Sequence, residues 1–516
     1  MEQKRREFLK KIGTTFASLS LAGCKNISRQ TAQPNIIYIL ADDLGYGELG
    51  CYGQEKIETP NIDKLAEGGM KFTQHYAGSP VSAPSRCVLL TDKHSGHAHI
   101  RGNDEMRSRG DIWNFKKMIK QPSLEGQRPI QNEEITIPEL LKKGGYKTGS
   151  IGKWGLGPPH SEGSPNNQGF DFFYGYICQR MAHSYYPPHL WKNGKKDILD
   201  NKLIKPHQKL DEKSDPRDIG SYSKYKGNDY APELMFQEMD KFIERNRSNP
   251  FFFYWASPIP HVALQAPKKW VDYYREKFGD EKPYTGDHGY LPCRYPRATY
   301  AAMISYLDEN IGKLVKKLKK LDLYKDTLII FSSDNGPTYT GGADTKWFNS
   351  AGPFLEKQGF TKGSLHEGGI RVPMIAHWPG KIKPNSETDH ISAFQDVLPT
   401  FCELANVKKP KNSDGISFLD TLLSKSKQKK HKYLYWEFPG YGGQQAVRMG
   451  QWKGLRKNIK KKGNMDIELY NLQKDLQEQE DLADKYPDIV SKIKKIMERE
   501  HTTPEVDTFR MKKLDS

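Results

Sequence analysis

The stretch NIIYILADDLGYG, residues 35–47, sets six consecutive apolar residues ahead of two carboxylates and a turn punctuated by glycines. An unbroken apolar, β-branched run of that length fits a strand buried on both faces, the kind found inside parallel sheets. Three further stretches share its form: KTGSIGKWG at 147–155, FFFYWASPIPH at 251–261 and DTLIIFSSDNG at 326–336. Between the last two, YAAMISYLDENIGKLVKKL at 300–318 has helical periodicity. The alternation predicts an α/β sheet covered by helices. In such sheets functional groups gather beyond the carboxyl ends of the strands, where each of these runs carries its polar residues.

From about Lys425 the character changes to a Lys-rich linker, followed by YLYWEF, AVRMGQWKGLR and ELYNLQ, which predict a few antiparallel strands, and by an amphipathic helix around Asp488 to Glu498. This divides the chain into a signal segment at 1–24, a catalytic domain at 25–425 and a smaller α+β subdomain at 426–516. The first residues, KRREFLKK, offer a twin arginine at Arg5 and Arg6, a short apolar stretch from Ile12 to Ala22 and then Leu21-Ala22-Gly23-Cys24. That order predicts export, with lipidation at Cys24. The apolar stretch is too short to span a bilayer, so the expected membrane link is a lipid tether only, in the periplasm or on an outer-membrane surface.

Lys+Arg 80 against Asp+Glu 63 gives a net charge of +17, which favours a polyanionic partner. Nucleic acid is not expected, because no nucleic-acid motif accompanies the charge. Cys51, Cys87, Cys178, Cys293 and Cys402 show no CxxC spacing, so no zinc knuckle is expected, and Cys87 reads as a small buried helix residue rather than a nucleophile.

Asp42-Asp43 and Asp334-Asn335 each follow a predicted strand. Alternate side chains of a strand point to opposite faces, so both members of a pair can converge only in the irregular turn beyond it. Taken singly, each pair also reads as a surface turn. Taken together they form an all-oxygen set suited to a hard cation, Ca²⁺ before Mg²⁺, at roughly 2.3–2.6 Å. Between them, Ser82-Ala83-Pro84-Ser85-Arg86 opens a predicted helix, with the proline suited to a first helical position. A helix start beside a dication is an anion site.

Ser82-x-Pro84-Ser85-Arg86-x-x-x-Leu90-Thr91-x-Lys93 resembles the signature of the type I sulfatases, the arylsulfatase family of the alkaline-phosphatase superfamily, in its serine form. Further landmarks of that family recur in order: ADDLG, Gly152-Lys153-Trp154, Pro260-His261, Ser333-Asp334-Asn335-Gly336, Lys362-Gly363 and Glu367-Gly368-Gly369-Ile370-Arg371-Val372-Pro373, with LYNLQKDLQEQEDLA near the end. The resemblance implies a large mixed sheet sandwiched by helices and a smaller C-terminal α+β subdomain. It implies formylglycine at position 82, made by a radical maturase acting in the cytoplasm, and Ca²⁺ held by Asp42, Asp43, Asp334 and Asn335 with the modified Ser82. Arg86 would hold the hydrated aldehyde, Lys153 and Lys362 the sulfate oxygens, and His261 the leaving alcohol.

Two positions depart from the pattern. Asp92 stands where the motif has glycine, and Gly155 stands where the family has the histidine that helps break down the covalent intermediate. His94, His97, His183 and His366 are the candidates to replace it. The loop FFYGYICQRMAHSYYPPHLWKNG makes Arg180, His183 and Tyr185 candidates for sugar contacts, with Glu437 and Arg448 behind them. The expected substrate is a sulfated galactan or a glycosaminoglycan fragment, with galactose or N-acetylgalactosamine sulfates preferred and exo action. Two alternatives are a phosphonate monoester or phosphodiester hydrolase, and a non-catalytic glycan-binding lipoprotein.

Overall fold

The structure is a computed structural model and describes residues 33–515. The signal segment with Cys24 lies outside the described residues. The strands of the large sheet, in chain order, are β1 (Asn35–Ala41), β2 (Met70–Tyr76), β3 (Lys147–Lys153), β4 (Phe172–Tyr176), β5 (His189–Lys192), β6 (Lys195–Ile198), β7 (Phe251–Ala256), β8 (Thr327–Ser333), β9 (Arg371–His377), β10 (Ser386–Thr388) and β11 (Ser392–Ala393). They form one eleven-stranded sheet in the order β10-β2-β9-β8-β1-β7-β3-β4-β5-β6, with β11 beside β2. β8, β1, β7, β3 and β4 run parallel, while β9 is antiparallel to both β8 and β2 and makes the sheet mixed.

β1 shows why a continuous apolar run was needed. Ile37, Ile39 and Ala41 enter the cluster under the helices Ala231–Asn246 and Pro296–Lys320. Ile36, Tyr38 and Leu40 enter the opposite cluster with Val88, Leu89, Leu140 and Val397 from three other helices. Both faces are covered, so no position on the strand faces water. Register then aligns the strand ends: Ala41 pairs with Ser333, Leu40 with Ala256, and Gly152 with Ala256. The residues that follow β1, β7 and β8, and the last residue of β3, therefore emerge along one edge.

The sheet expected beyond Lys425 begins at Leu434. It is an antiparallel meander of β12 (Leu434–Phe438), β13 (Gln444–Met449), β14 (Trp452–Lys457) and β15 (Glu468–Asn471). One face, with Trp436, Ala446, Leu455 and Tyr470, packs on Tyr76, Val81 and Ile370 of the catalytic domain. The other carries Tyr435, Val447 and Leu469 under Ile493, Ile496 and Met497 of the closing helix Pro487–Glu500.

Buried ions tie the two parts together. The Lys453 ammonium on β14 lies 2.9 Å from Glu367 and 2.9 Å from Glu478, and Arg371 reaches Glu367 at 3.2 Å. Cys51, Cys87, Cys178, Cys293 and Cys402 are free thiols, and Cys87 is fully buried on its helix.

Candidate functional site

The helix Ser82–Thr91 is buried along its whole length, and Ser82 is its first residue. Pro84 is therefore the third helical residue rather than the first, still within the turn whose N–H groups have no intrahelical acceptor. The helix ends at Asp92 with φ 58, the left-handed conformation that glycine adopts freely, which gives a physical reason for a glycine there in the resembling motif.

Asp42 and Asp43 converge as the sequence required, beyond the strand. Asp43 takes φ 65, and its N–H donates to Asp334 Oδ1 at 3.1 Å. Ser333 pins the two turns to each other: its Oγ accepts from Leu44 N–H at 2.9 Å and donates to the Asn335 carbonyl at 3.0 Å. Asn335 Nδ2 donates to Asp43 Oδ1 at 2.8 Å, while Asn335 Oδ1 is buried without a partner. Three buried carboxylates and a bare amide oxygen form a hard, all-oxygen donor set that fits Ca²⁺.

Each carboxylate also meets a cation. Lys153 Nζ lies 2.6 Å from Asp42 Oδ2 and Lys362 Nζ 2.6 Å from Asp43 Oδ2. Arg86 Nη2 donates to Asp334 Oδ2 at 2.9 Å, and its Nη1 to the Lys153 carbonyl at 2.8 Å. Ser82 Oγ sits among them, donating to Asp42 Oδ1 at 3.1 Å, with Lys153 Nζ 3.4 Å away. Gly152 fixes the approach of Lys153, because a Cβ there would lie 1.8 Å from the Ala256 carbonyl oxygen.

The charges do not share one environment. Burial works to raise Asp42, but Lys153 and Arg86 outweigh it and hold the carboxyl well below its ordinary range. Burial, followed by the neighbouring Asp42, pushes Asp334 up to about 6. Asp43 shifts upward as well, through burial. A bound cation would relieve that excess of buried negative charge.

His261 follows β7. Its Nδ1 donates to the Val262 carbonyl at 2.5 Å, and its Nε2 lies 3.7 Å from Asp43 Oδ2. Burial first, then Lys362 and Lys153, hold the ring in its neutral form. His183 stacks on it, with ring centroids 5.3 Å apart and planes at 13°.

Among the histidines considered for the place of Gly155, only His183 is at the site. His94 and His97 stack on each other and engage Glu500 and Asp414. His366 bonds Ser364 and packs on Phe360. Gly155 itself has φ 75, and a Cβ there would meet Gln179 Nε2 at 2.3 Å. The Gln179 amide fills that space, and its Nε2 is buried without a partner.

The expectation that Arg180 and Tyr185 face substrate is not met. Arg180 is buried, pairs with Glu105 and donates to the Leu124 carbonyl at 2.7 Å. The buried Tyr185 hydroxyl reaches the carbonyls of Pro258 at 2.6 Å and His261 at 2.8 Å, so it holds the His261 loop. Glu437 is enclosed by Arg101 and His501, and Arg448 is spent on Tyr76 and Gln74. Most of the aromatic loop is core, as aromatic stretches usually are.

The structure adds two rings that motif reading passed over. Tyr290 lies 5.0 Å from His183 and 5.7 Å from His261, and His207 Nε2 is 3.3 Å from His183 Nδ1. Both come from loops with no local chemical pattern.

The family model described as Sulfatase matches residues 34–407, and one described as N-sulphoglucosamine sulphohydrolase, C-terminal, matches residues 356–503. Human arylsulfatase A is 31% identical over 81% of this chain and 74% of its own length. The N-acetylgalactosamine-6-O-sulfatase of Bacteroides thetaiotaomicron is 28% identical over 93% of this chain and 96% of its own. The crystal structure of Ps i-CgsB in complex with k-i-k-neocarrahexaose superposes with a TM-score of 0.71 at 28% identity, covering 92% of this chain and 94% of that one.

Proposed function

The chain belongs to the sulfatase family, and from that premise we propose that it is an exported, calcium-dependent enzyme that removes sulfate from carbohydrates, galactose or N-acetylgalactosamine sulfates before others. The observation that carries the reading is one buried hydrogen-bonded cluster of Asp42, Asp43, Asp334, Asn335, Arg86, Lys153 and Lys362, joined to Ser82 through Asp42 and Lys153. The names of the bacterial N-acetylgalactosamine-6-O-sulfatase and of the neocarrahexaose complex support a glycan. Export, the lipid at Cys24 and maturation in the cytoplasm belong to the same proposal and rest on the sequence alone.

Oxidised to formylglycine and hydrated, position 82 would supply one hydroxyl to attack sulfur and a second to expel sulfate. Arg86, fixed by Asp334 and the Lys153 carbonyl, is placed to orient that diol. Asp42, Asp43, Asp334 and Asn335 would hold Ca²⁺, which would supply positive charge beside the sulfate. Lys153 and Lys362, now paired with Asp42 and Asp43, would neutralise the sulfate oxygens. His261, with Nδ1–H committed to the Val262 carbonyl, has a bare Nε2 that would have to take up a proton before it could give one to the leaving alcohol.

The Gln179 amide, which fills the space at Gly155, cannot exchange a proton, whereas the imidazole of His183, stacked on His261, can. His183 is therefore assigned the role that Gly155 leaves vacant. His183→Ala is expected to lower kcat by about 10²-fold or more, and His94→Ala to leave it within about twofold. Steady-state sulfate release measures both, and equal rates in the two variants would remove His183 from the mechanism.

The function itself is tested by comparing kcat/KM for N-acetylgalactosamine 6-sulfate, galactose 6-sulfate and an aryl phosphodiester, before and after chelation of the protein with EGTA. Sulfate release that EGTA abolishes and Ca²⁺ restores is the expected result. Preference for the phosphodiester would overturn the reading.

A further inference from the structure

The helix that starts at Ser82 is capped from a distant segment. Its N-cap position is Val81, which has no side-chain oxygen to offer, and Pro84 at the third position has no N–H, so the Ser82 and Ala83 N–H groups are the two left without an intrahelical acceptor. Asn103 Oδ1 accepts from Ala83 N–H at 3.0 Å, across 20 residues of chain. A backbone N–H can donate only to the oxygen of an amide, so this bond fixes which way the Asn103 amide faces. Asn103 is exposed, and no described residue accepts from its Nδ2.

The amide is near the chemistry and held in place. Ala83 N lies within about 5 Å of Ser82 Oγ by covalent geometry alone, so Asn103 Oδ1, 3.0 Å beyond it, stands within about 8 Å of the nucleophile. On one side of Asn103 the buried Arg101 donates to Glu437 Oε1 at 2.9 Å, to the Thr502 carbonyl at 2.7 Å and to Thr502 Oγ1 at 2.8 Å. On the other, Asp104 Oδ2 pairs with Arg128 Nε at 2.6 Å. The backbone is thus pinned on both sides of an exposed donor. Accepting from a helix N–H also polarises the amide and strengthens the Nδ2 hydrogens as donors. They remain uncharged. Lys153 and Lys362 already bring ammonium groups for the sulfate oxygens, so a neutral donor beside them suits a neutral acceptor.

We propose that Asn103 is a specificity-determining residue, whose Nδ2–H donates to a hydroxyl oxygen of the same sugar that carries the sulfate. This rests on the glycan-sulfatase reading and makes it specific, because the contact separates a sugar sulfate from an aryl sulfate, whose ring offers no hydroxyl.

The test is kcat/KM of the full matured enzyme for galactose 6-sulfate and for 4-nitrophenyl sulfate, in the wild type, Asn103→Ala and Asn103→Asp. The aspartate variant keeps an oxygen for Ala83 N–H and loses the donor; its added charge repels both substrates, and the ratio of the two kcat/KM values cancels that effect. Both variants are expected to lower the sugar-to-aryl ratio by roughly tenfold, the loss expected for one hydrogen bond, with the urea midpoint of Asn103→Asp unchanged. A capping role alone would lower both substrates together in Asn103→Ala and be rescued in Asn103→Asp, and that pattern overturns the contact while leaving the glycan reading standing. Calorimetric binding of galactose 6-sulfate to Ser82→Ala protein, with and without Asn103→Ala, separates the two readings. Absence of both turnover and binding defeats them together, whereas binding that Asn103→Ala weakens, without turnover, supports the contact alone.

Discussion

Ser82→Ala is expected to abolish sulfate release, with kcat falling by roughly 10⁵-fold or more, as when the nucleophile of a covalent mechanism is removed. The fold should tolerate the change. Ser82 is 2% exposed and gives up two hydrogen bonds, one to Asp42 at 3.1 Å and a long one from Lys153 at 3.4 Å, at a cost of about 1–2 kcal/mol. The loss would therefore be chemical, and unchanged urea midpoints would establish that. The companion measurement is the mass of the peptide containing Ser82 from native-host protein. It should be lighter by about two mass units, the two hydrogens lost when the alcohol becomes an aldehyde. Turnover by protein in which Ser82 is wholly unmodified, or activity within tenfold of wild type in Ser82→Ala, would overturn the formylglycine mechanism.

Lys453→Met should cost about 3–5 kcal/mol of stability near pH 8, because it strands Glu478 in the interior and leaves Glu367 with Arg371 and Arg448 alone. Lys453, Glu367 and Glu478 are almost completely buried, with the ammonium 2.9 Å from each carboxylate. Burial opposes ionisation of Glu367, yet Lys453, Arg371 and Arg448 hold it down to about 2. Glu478 has Lys453 as its ion-pair partner, and burial with the adjacent Glu367 pushes it up to about 7.

Without Lys453, both carboxyls shift upward in the folded state, Glu478 still further above its unfolded value near 4.5. The folded variant then binds more protons than the unfolded chain, so its stability falls as pH rises. The deficit against wild type should accordingly be largest near pH 8 and shrink toward pH 5. Urea midpoints at the two pH values measure it, and Glu478→Gln added to Lys453→Met should recover part of the loss. A deficit under about 1 kcal/mol at pH 8 would show that the buried network does not join the C-terminal sheet to the catalytic domain.

The strand runs 35–41, 251–256 and 327–333 were legible because burial on both faces leaves a continuous apolar signature, visible without knowledge of the neighbours. The pairs Asp42-Asp43 and Asp334-Asn335 were legible for a related reason: a carboxylate directly after a buried strand has few places to go except the sheet edge. Arg180 and Tyr185 misled because an aromatic, polar loop has the same composition whether its side chains face a ligand or hold a backbone. Their burial, and the carbonyls of Leu124, Pro258 and His261 that they meet, depend on segments far away in sequence.

The sequence by itself determined that a helix-covered sheet forms and which oxygen-rich residues follow its strands, since each of these is written in a local pattern of hydropathy or turn chemistry. Only the tertiary structure decided which histidine stands beside His261, what fills the space at Gly155, and that Tyr290 and His207 pack against His183. These residues sit in separate loops, and the distance between loops is set by how the strands that carry them are ordered and registered in the sheet, which no single segment encodes.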